Sequence, residues 1–350
     1  MRISGKSIST TERPYVIAEV SANHGGNIDR ALEMIHLAAE AGASAVKFQT
    51  YTADTLTIEC DKPDFRISNP NSLWNGRTLY DLYEEAYMPW QWHETLFDEA
   101  SKIGIDAFSS AFDETAVDFL EDLDVPCYKV ASFEHTFVPL LERIAETRKP
   151  VIVSCGLATI EDIRETTRVL KKANSGPVCL LACTSNYPAA ISDSNLRRIP
   201  KLKEQFPDCE VGLSDHTIGN TAATAAVALG ACVFEKHFKL GGDDTSVDAA
   251  FSVTPGQLRD YVNAVNDAWD ALGEAKFGPA SEAEAQSFQF RRSIYAVADI
   301  AAGEPFTSDN IRCIRPGFGA HPKHFKSILG KSAKIPIERG TPINLDWISE

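Results

Sequence analysis

The sequence predicts a (β/α)8, or TIM, barrel followed by a small second domain. Eight short apolar runs punctuate the first 240 residues, helix-length stretches lie between them, and nearly every run ends in a polar or ionisable residue. A strand–helix unit repeated eight times closes into a barrel, and barrels of this kind carry their chemistry on the C-terminal rim of the strands. The polar run ends therefore fall where an active site is built.

The elements follow in order along the chain. The first run, Tyr15–Val20, carries Glu19, and Asn27–Ala41 has apolar residues three and four apart, the spacing of an amphipathic helix. Ala45–Gln49 carries Lys47 and Gln49. Thr50–Pro89 is far longer than a βα loop of about 2–6 residues; with Phe65, Trp74, Tyr80, Tyr83 and Tyr87 among polar residues it reads as a partly ordered flap over the rim. Pro89 opens a helix over Trp90–Lys102. Ile105–Ser109 is followed by Ser110, and Cys127–Ala131 holds Lys129 and is followed by Ser132. Pro150–Ser154 ends at Ser154, and Thr159–Ala173 has helical spacing. Val178–Cys183 is followed by Thr184 and Ser185. Glu210–Ser214 is followed by His216, Gly219–Leu229 is helical, and Cys232–His237 ends at His237. Thr254 and Pro255 open a helix to Leu272. Gly273–Ala285, rich in Gly, Ala, Glu and Ser, reads as linker. From Arg291 the pattern changes to short β-like pieces, Ser293–Val297 and Ile311–Ile314, with turns at Gly303, Pro316–Gly319 and Gly340. The expected division is a barrel over 1–272, a linker over 273–290 and a small domain over 291–350.

The bulk numbers fit that plan. A barrel needs roughly 250 residues, and the chain has 350. A content of 44% hydrophobic and 24% charged residues is that of a soluble globular protein. A net charge of −15 repels a phosphate backbone and argues against a nucleic-acid partner. No run approaches the ~18 apolar residues of a membrane span, and no signal peptide is evident. The eight cysteines form no CxxC pair, so reduced thiols in a cytoplasmic enzyme are expected.

Three groups of rim residues carry chemistry. His216 and His237 close adjacent strands, and two neutral imidazoles side by side suit a divalent metal with positions left open; the alternative is a pair of satisfied core histidines. Strand side chains alternate, so Lys47 and Gln49 share a face. A buried ammonium needs an anion. Lys47 and Lys129 with the hydroxyls of Ser110, Ser132, Ser154, Ser185 and Ser214 suit a ligand bearing phosphate and carboxylate; ion pairs with Glu19 or Glu134 are the alternative. Glu19, Glu134, Asp215 and Asp248 supply carboxylates for general acid–base work.

Seven stretches together resemble the sialic acid synthase family: Ile17-Ala-Glu-Val-Ser-Ala-Asn-His24, Val46-Lys-Phe-Gln-Thr-Tyr51, Cys127-Tyr-Lys-Val-Ala-Ser-Phe-Glu134, Val153-Ser-Cys-Gly156, Cys183-Thr-Ser-Asn-Tyr-Pro188, Gly212-Leu-Ser-Asp-His-Thr217 and Glu235-Lys-His-Phe238. The tail, with Arg292-Ser-Ile-Tyr295 and Ile314-Arg-Pro-Gly-Phe-Gly319, resembles that family's antifreeze-like (SAF) domain. Asp64-Phe-Arg-Ile67, Leu73-Trp-Asn-Gly-Arg-Thr-Leu-Tyr-Asp-Leu-Tyr83, Trp90-Gln-Trp-His93 and His321-Pro-Lys-His-Phe325 are most similar to the branch that makes pseudaminic acid.

The resemblance implies condensation of phosphoenolpyruvate with 2,4-diacetamido-2,4,6-trideoxy-L-altrose; neighbouring branches make N-acetylneuraminate or legionaminate. It implies Mn2+ on His216 and His237, and phosphoenolpyruvate held by Lys47, Lys129, Ser110, Ser132, Ser154, Ser185 and Ser214. Glu19 would lie near the reacting carbons, with Gln49, Tyr187 and Asp248 on the sugar or metal side. Arg315 would reach into a neighbouring subunit, which makes a domain-swapped homodimer. Departures from the family pattern are Ala111 in place of Pro, Cys155 in place of Thr, and a loop Gly241–Asp248 without the usual two glycines. A Schiff-base aldolase or lyase and a non-catalytic sugar-binding barrel are the rival readings.

Overall fold

The computed structural model describes residues 1–70, 72–172, 176–241 and 244–349. Ala173, at the end of one expected helix, and Gly242 and Asp243, in the loop before Asp248, lie outside them. The chain forms two units, Met1–Gly273 and Glu274–Glu350.

The first unit is a closed barrel of eight parallel strands. They are β1 Tyr15–Glu19, β2 Ala45–Thr50, β3 Asp106–Ala111, β4 Tyr128–Val130, β5 Val151–Ser154, β6 Val178–Cys183, β7 Glu210–Asp215 and β8 Val233–His237. Each run is buried throughout or nearly so, as strands covered on both faces must be. The main helices are α1 Ile28–Glu40, α2 His93–Ile103, α3 Glu114–Asp122, α4 Val138–Thr147, α5 Ile160–Lys172, α6 Arg198–Gln205, α7 Thr221–Ala228 and α8 Pro255–Leu272. Local signals set their ends. The Asn27 side chain accepts from the amides of Asp29 and Arg30 at the start of α1, and Thr254 with Gln257 forms a capping box on α8.

Alternation divides the strands between two cores. Val46, Phe48, Tyr128, Val153 and Phe234 point outward to the helices, whereas Ile17, Phe108, Ile152, Cys179 and Leu181 fill the barrel interior. A two-stranded ribbon, Arg2–Ile3 with Lys6–Ser7, brings Ile3 and Ile8 into that interior cluster. The ribbon is too short for a periodic signal. All eight cysteines are free thiols. Among the described residues no helix is long and apolar enough to cross a membrane.

The segment between β2 and α2 contains two short helices, Ala53–Leu56 and Leu79–Ala86. It folds onto the rim. Trp74 lies 6.0 Å from Tyr187 and 6.5 Å from Phe251, ring centre to ring centre, and donates through its indole N–H to the Val247 carbonyl at 3.3 Å.

The second unit pairs β9 Ser293–Ala296 with β10 Ile311–Ile314 in antiparallel fashion. Ile294, Ile300, Phe306, Ile311, Ile328, Ile337 and Ile343 form its own buried core. Arg315 follows β10 and is exposed.

Candidate active site

One cavity of about 490 Å3 opens at the C-terminal rim of the barrel. It is lined by the barrel residues singled out from sequence, Asp215 excepted: Glu19, Lys47, Gln49, Ser110, Lys129, Ser132, Glu134, Ser154, Ser185, Tyr187, Ser214, His216, His237 and Asp248. The register explains the convergence. Glu19 stands opposite Lys47, Gln49 opposite Ser110, Ser110 opposite Lys129 and Ser214 opposite Glu235.

The floor is a buried charge cluster. Lys47 Nζ lies 2.6 Å from Glu19 Oε2 and 3.6 Å from Glu235 Oε2, and donates to Ser110 Oγ at 3.0 Å. Lys129 Nζ donates to Ser154 Oγ at 2.7 Å and lies 3.8 Å from Glu235 Oε2. Ser214 Oγ donates to Glu235 Oε1 at 3.1 Å. The ion pair expected as an alternative for Lys47 is therefore present, with Glu19, while the anion beside Lys129 is Glu235 rather than Glu134. Glu235 was not among the sequence candidates. Its signal was available, since two residues before an inward His237 is another inward position.

The charges respond to burial and to one another. Burial drives Glu19 up to about 7, against the pull of Lys47. Burial alone would lower Lys47, but Glu19 and Glu235 hold it above the usual range. Burial lowers Lys129, with Glu235 opposing. Burial also lifts Glu134 to about 7, with Lys129 pulling it down. Its Oε2 has no hydrogen-bond partner among the described residues, as suits a neutral acid.

Beside the lysines is a small polar cradle. The Gly156 amide donates to Ser132 Oγ at 3.2 Å. A Cβ at Gly156 would overlap the Ser185 hydroxyl and come within 2.6 Å of Ser132 Oγ. A side chain at 156 would have to push both hydroxyls aside, and the cradle of two hydroxyls and an amide suits a phosphate oxygen.

The two imidazoles lie across the cavity, 5.2 Å apart between ring centres, with Tyr187 4.4 Å from His216 and Phe251 4.9 Å from His237. Among the described residues no group of three or more His, Cys, Asp or Glu side chains forms a metal cluster. A two-ligand site does fit. The Thr184 carbonyl lies 2.9 Å from His216 Nδ1, which fixes the proton there and leaves the Nε2 lone pair for a cation. His237 is held well below its usual range by burial and by His216, so it is neutral. Its Nδ1 is buried without a partner among the described residues.

Asp248 is buried beside this pair and accepts from Ser21 Oγ, which in turn accepts from Gln49 Nε2 at 2.9 Å. Asn23, also absent from the candidates, holds the loop that carries Asp248. Its Nδ2 donates to the Phe238 carbonyl at 2.7 Å and to Ser252 Oγ at 2.8 Å, and its Oδ1 accepts from Ser246 Oγ at 2.8 Å. Asp215 is a correction. It points away from the cavity and pairs with Lys236 at 3.2 Å, because it lies one residue out of phase with Ser214 and His216.

The NeuB family model matches residues 34–277. The chain belongs to the NeuB family. An SAF domain model matches residues 291–347. The pseudaminic acid synthase of Campylobacter jejuni is 44% identical over 95% of this chain and 96% of its own. The N,N'-diacetyllegionaminic acid synthase of Legionella pneumophila is 34% identical over 94% of this chain and 93% of its own. Among solved structures, the N-acetylneuraminic acid (sialic acid) synthetase of Leptospira borgpetersenii matches with a TM-score of 0.72 and 30% identity, over 83% of this chain and 95% of that one. NeuB family members condense phosphoenolpyruvate with an acetamido sugar, and this chain is an enzyme of that kind.

Proposed function

We propose that this chain is a pseudaminic acid synthase, joining phosphoenolpyruvate, 2,4-diacetamido-2,4,6-trideoxy-L-altrose and water to give pseudaminic acid and phosphate. The observation that carries the reading is the shared cavity, with the two lysines and the Ser132, Ser154 and Ser185 hydroxyls on one side and the paired imidazoles of His216 and His237 on the other. The acceptor follows the higher identity to pseudaminic acid synthases than to the legionaminic acid synthase. Incubation with phosphoenolpyruvate and a panel of acetamido sugars, with mass analysis, tests it. Phosphate release only with a different sugar would replace the acceptor, and no release with any would remove the reaction.

His216 and His237 would hold a divalent cation, Mn2+ in this proposal, which supplies Lewis acidity toward the acceptor's aldehyde oxygen. Lys47 and Lys129 orient the anionic donor, with Ser132, Ser185 and the Gly156 amide on its phosphate; fixed orientation alone lowers a barrier by ~7–11 kcal/mol. The enol carbon attacks the aldehyde carbon, and neutral Glu134 gives a proton to the new hydroxyl. Water adds to the former enol-phosphate carbon, passing one proton to Glu19; the C–O bond to phosphate then breaks as the added hydroxyl becomes the ketone oxygen and its proton leaves with the phosphate. Gln49, Tyr187 and Asp248 bound the acceptor side. Arg315 completes that side from a second copy in a swapped homodimer, and the enzyme works in the cytoplasm.

Two measurements follow. A Gly156→Ala substitution forces the cradle apart at a cost of about 1–3 kcal/mol, so the Kd for phosphoenolpyruvate should rise about 10- to 100-fold, read by calorimetry; an unchanged Kd removes the cradle from the donor site. Donor affinity should also fall as pH rises through about 7, because Glu19 and Glu134 become anionic there. Binding near neutrality should take up protons, and Glu134→Gln should flatten the profile. Calorimetry in buffers of different ionisation enthalpy detects this; proton release on binding would contradict it.

A further inference from the structure

We propose that the buried Asp215–Lys236 pair, on the outer face of the barrel, is a positioning device that sets the spacing of His216 and His237. The pair lies one residue from each imidazole and on the opposite side of the wall. Ser214 and His216 face inward, as do Glu235 and His237, so Asp215 and Lys236 face the helices. The two residues are register partners across β7 and β8 and are almost completely buried.

Their contacts grip the backbone around His216 at both ends. Asp215 Oδ1 accepts from the Thr217 amide at 2.9 Å and the Thr217 hydroxyl at 2.7 Å. Lys236 Nζ donates to Asp215 Oδ2 at 3.2 Å and to the Thr217 carbonyl. One ammonium on β8 thus holds residues 215 and 217, with His216 between them. The Tyr261 ring of α8 lies 5.4 Å from that ammonium. Further down, a Cβ at Gly212 would collide with the Val233 carbonyl, so the same two strands approach closely at the other end of their pairing.

Stability alone does not explain the pair. Burying two charges costs about as much as their attraction returns, and apolar residues of similar volume commonly serve as well or better. What the pair supplies is registry between the strands that carry the two rings. The consequence for metal binding rests on the proposed function; the ring spacing does not.

The test is the neutral double variant Asp215→Asn/Lys236→Met in the full chain. Asparagine keeps the acceptor for Thr217, and methionine keeps the volume of the lysine stem. The variant should melt no lower than the parent and bind phosphoenolpyruvate within about two-fold. Its Mn2+ Kd, measured by calorimetry, should rise about 10- to 100-fold, and its crystal structure should show ring centres displaced from the 5.2 Å separation. Parental Mn2+ affinity with unchanged spacing overturns the proposal. Should the double variant not fold, Thr217→Val decides: a weakened Mn2+ Kd supports the brace and a parental one overturns it. If the parent itself binds no Mn2+, the metal reading fails and the ring spacing alone judges the brace.

Discussion

Replacing Glu235 with glutamine should leave a chain about 3–5 kcal/mol less stable without ligand, and phosphoenolpyruvate should restore much of that loss. Glu235 lies 3.6 Å from Lys47 and 3.8 Å from Lys129, and all three side chains are at most 5% exposed. Lys47 retains Glu19 at 2.6 Å after the change, but Lys129 retains no carboxylate within ion-pair distance among the described residues. A buried ammonium must then stay charged at full desolvation cost or release its proton. Glutamine keeps the shape and can still accept from Ser214, so packing changes little. An anionic donor supplies the missing charge, and the stabilisation by phosphoenolpyruvate should be larger in the variant than in the parent. Denaturant unfolding with and without the donor reads both terms. Equal stability of variant and parent without ligand would show that Glu235 does not balance the lysines.

His237→Ala should lower kcat by about 10³-fold or more, which is several kcal/mol of barrier, while the Kd for phosphoenolpyruvate stays near that of the parent. The imidazole is neutral, and the rings around it are those of His216, Tyr187 and Phe251. Among the described residues it makes no hydrogen bond to the Gly156 cradle or to the hydroxyls bonded to the two lysines. Loss should therefore fall on the acceptor and the chemical step. Single-turnover phosphate release beside donor calorimetry separates the two. A fall in donor affinity with unchanged kcat would place His237 in the phosphoenolpyruvate pouch instead.

Sequence periodicity located all eight barrel strands within one or two residues, because fully buried runs bounded by helices leave little freedom in phase. Val178–Cys183 agrees at both ends. The N-terminal ribbon escaped because two-residue strands carry no period. Asp215 was misplaced by adjacency to His216, although alternation alone assigns it to the outer face. Glu235 was overlooked inside an apolar run, although counting back from His237 puts it in the cavity. Asn23 could not be found that way, since its partners Phe238, Ser246 and Ser252 come from a loop more than 200 residues away in sequence. Gln49 followed from alternation with Lys47 and Tyr187 from the family resemblance, and both line the cavity; the role of Arg315 is implied by the resemblance alone, because an exposed arginine after a short strand has no distinguishing pattern of its own.

The most direct test of one site with two halves is a crystal structure with Mn2+ and phosphoenolpyruvate, with the metal located by anomalous scattering. A single metal peak between His216 and His237, and the donor's phosphate against Ser132, Ser185 and the Gly156 amide in the same cavity, is the predicted result. A metal elsewhere in the chain, or a donor phosphate outside that cradle, would contradict it.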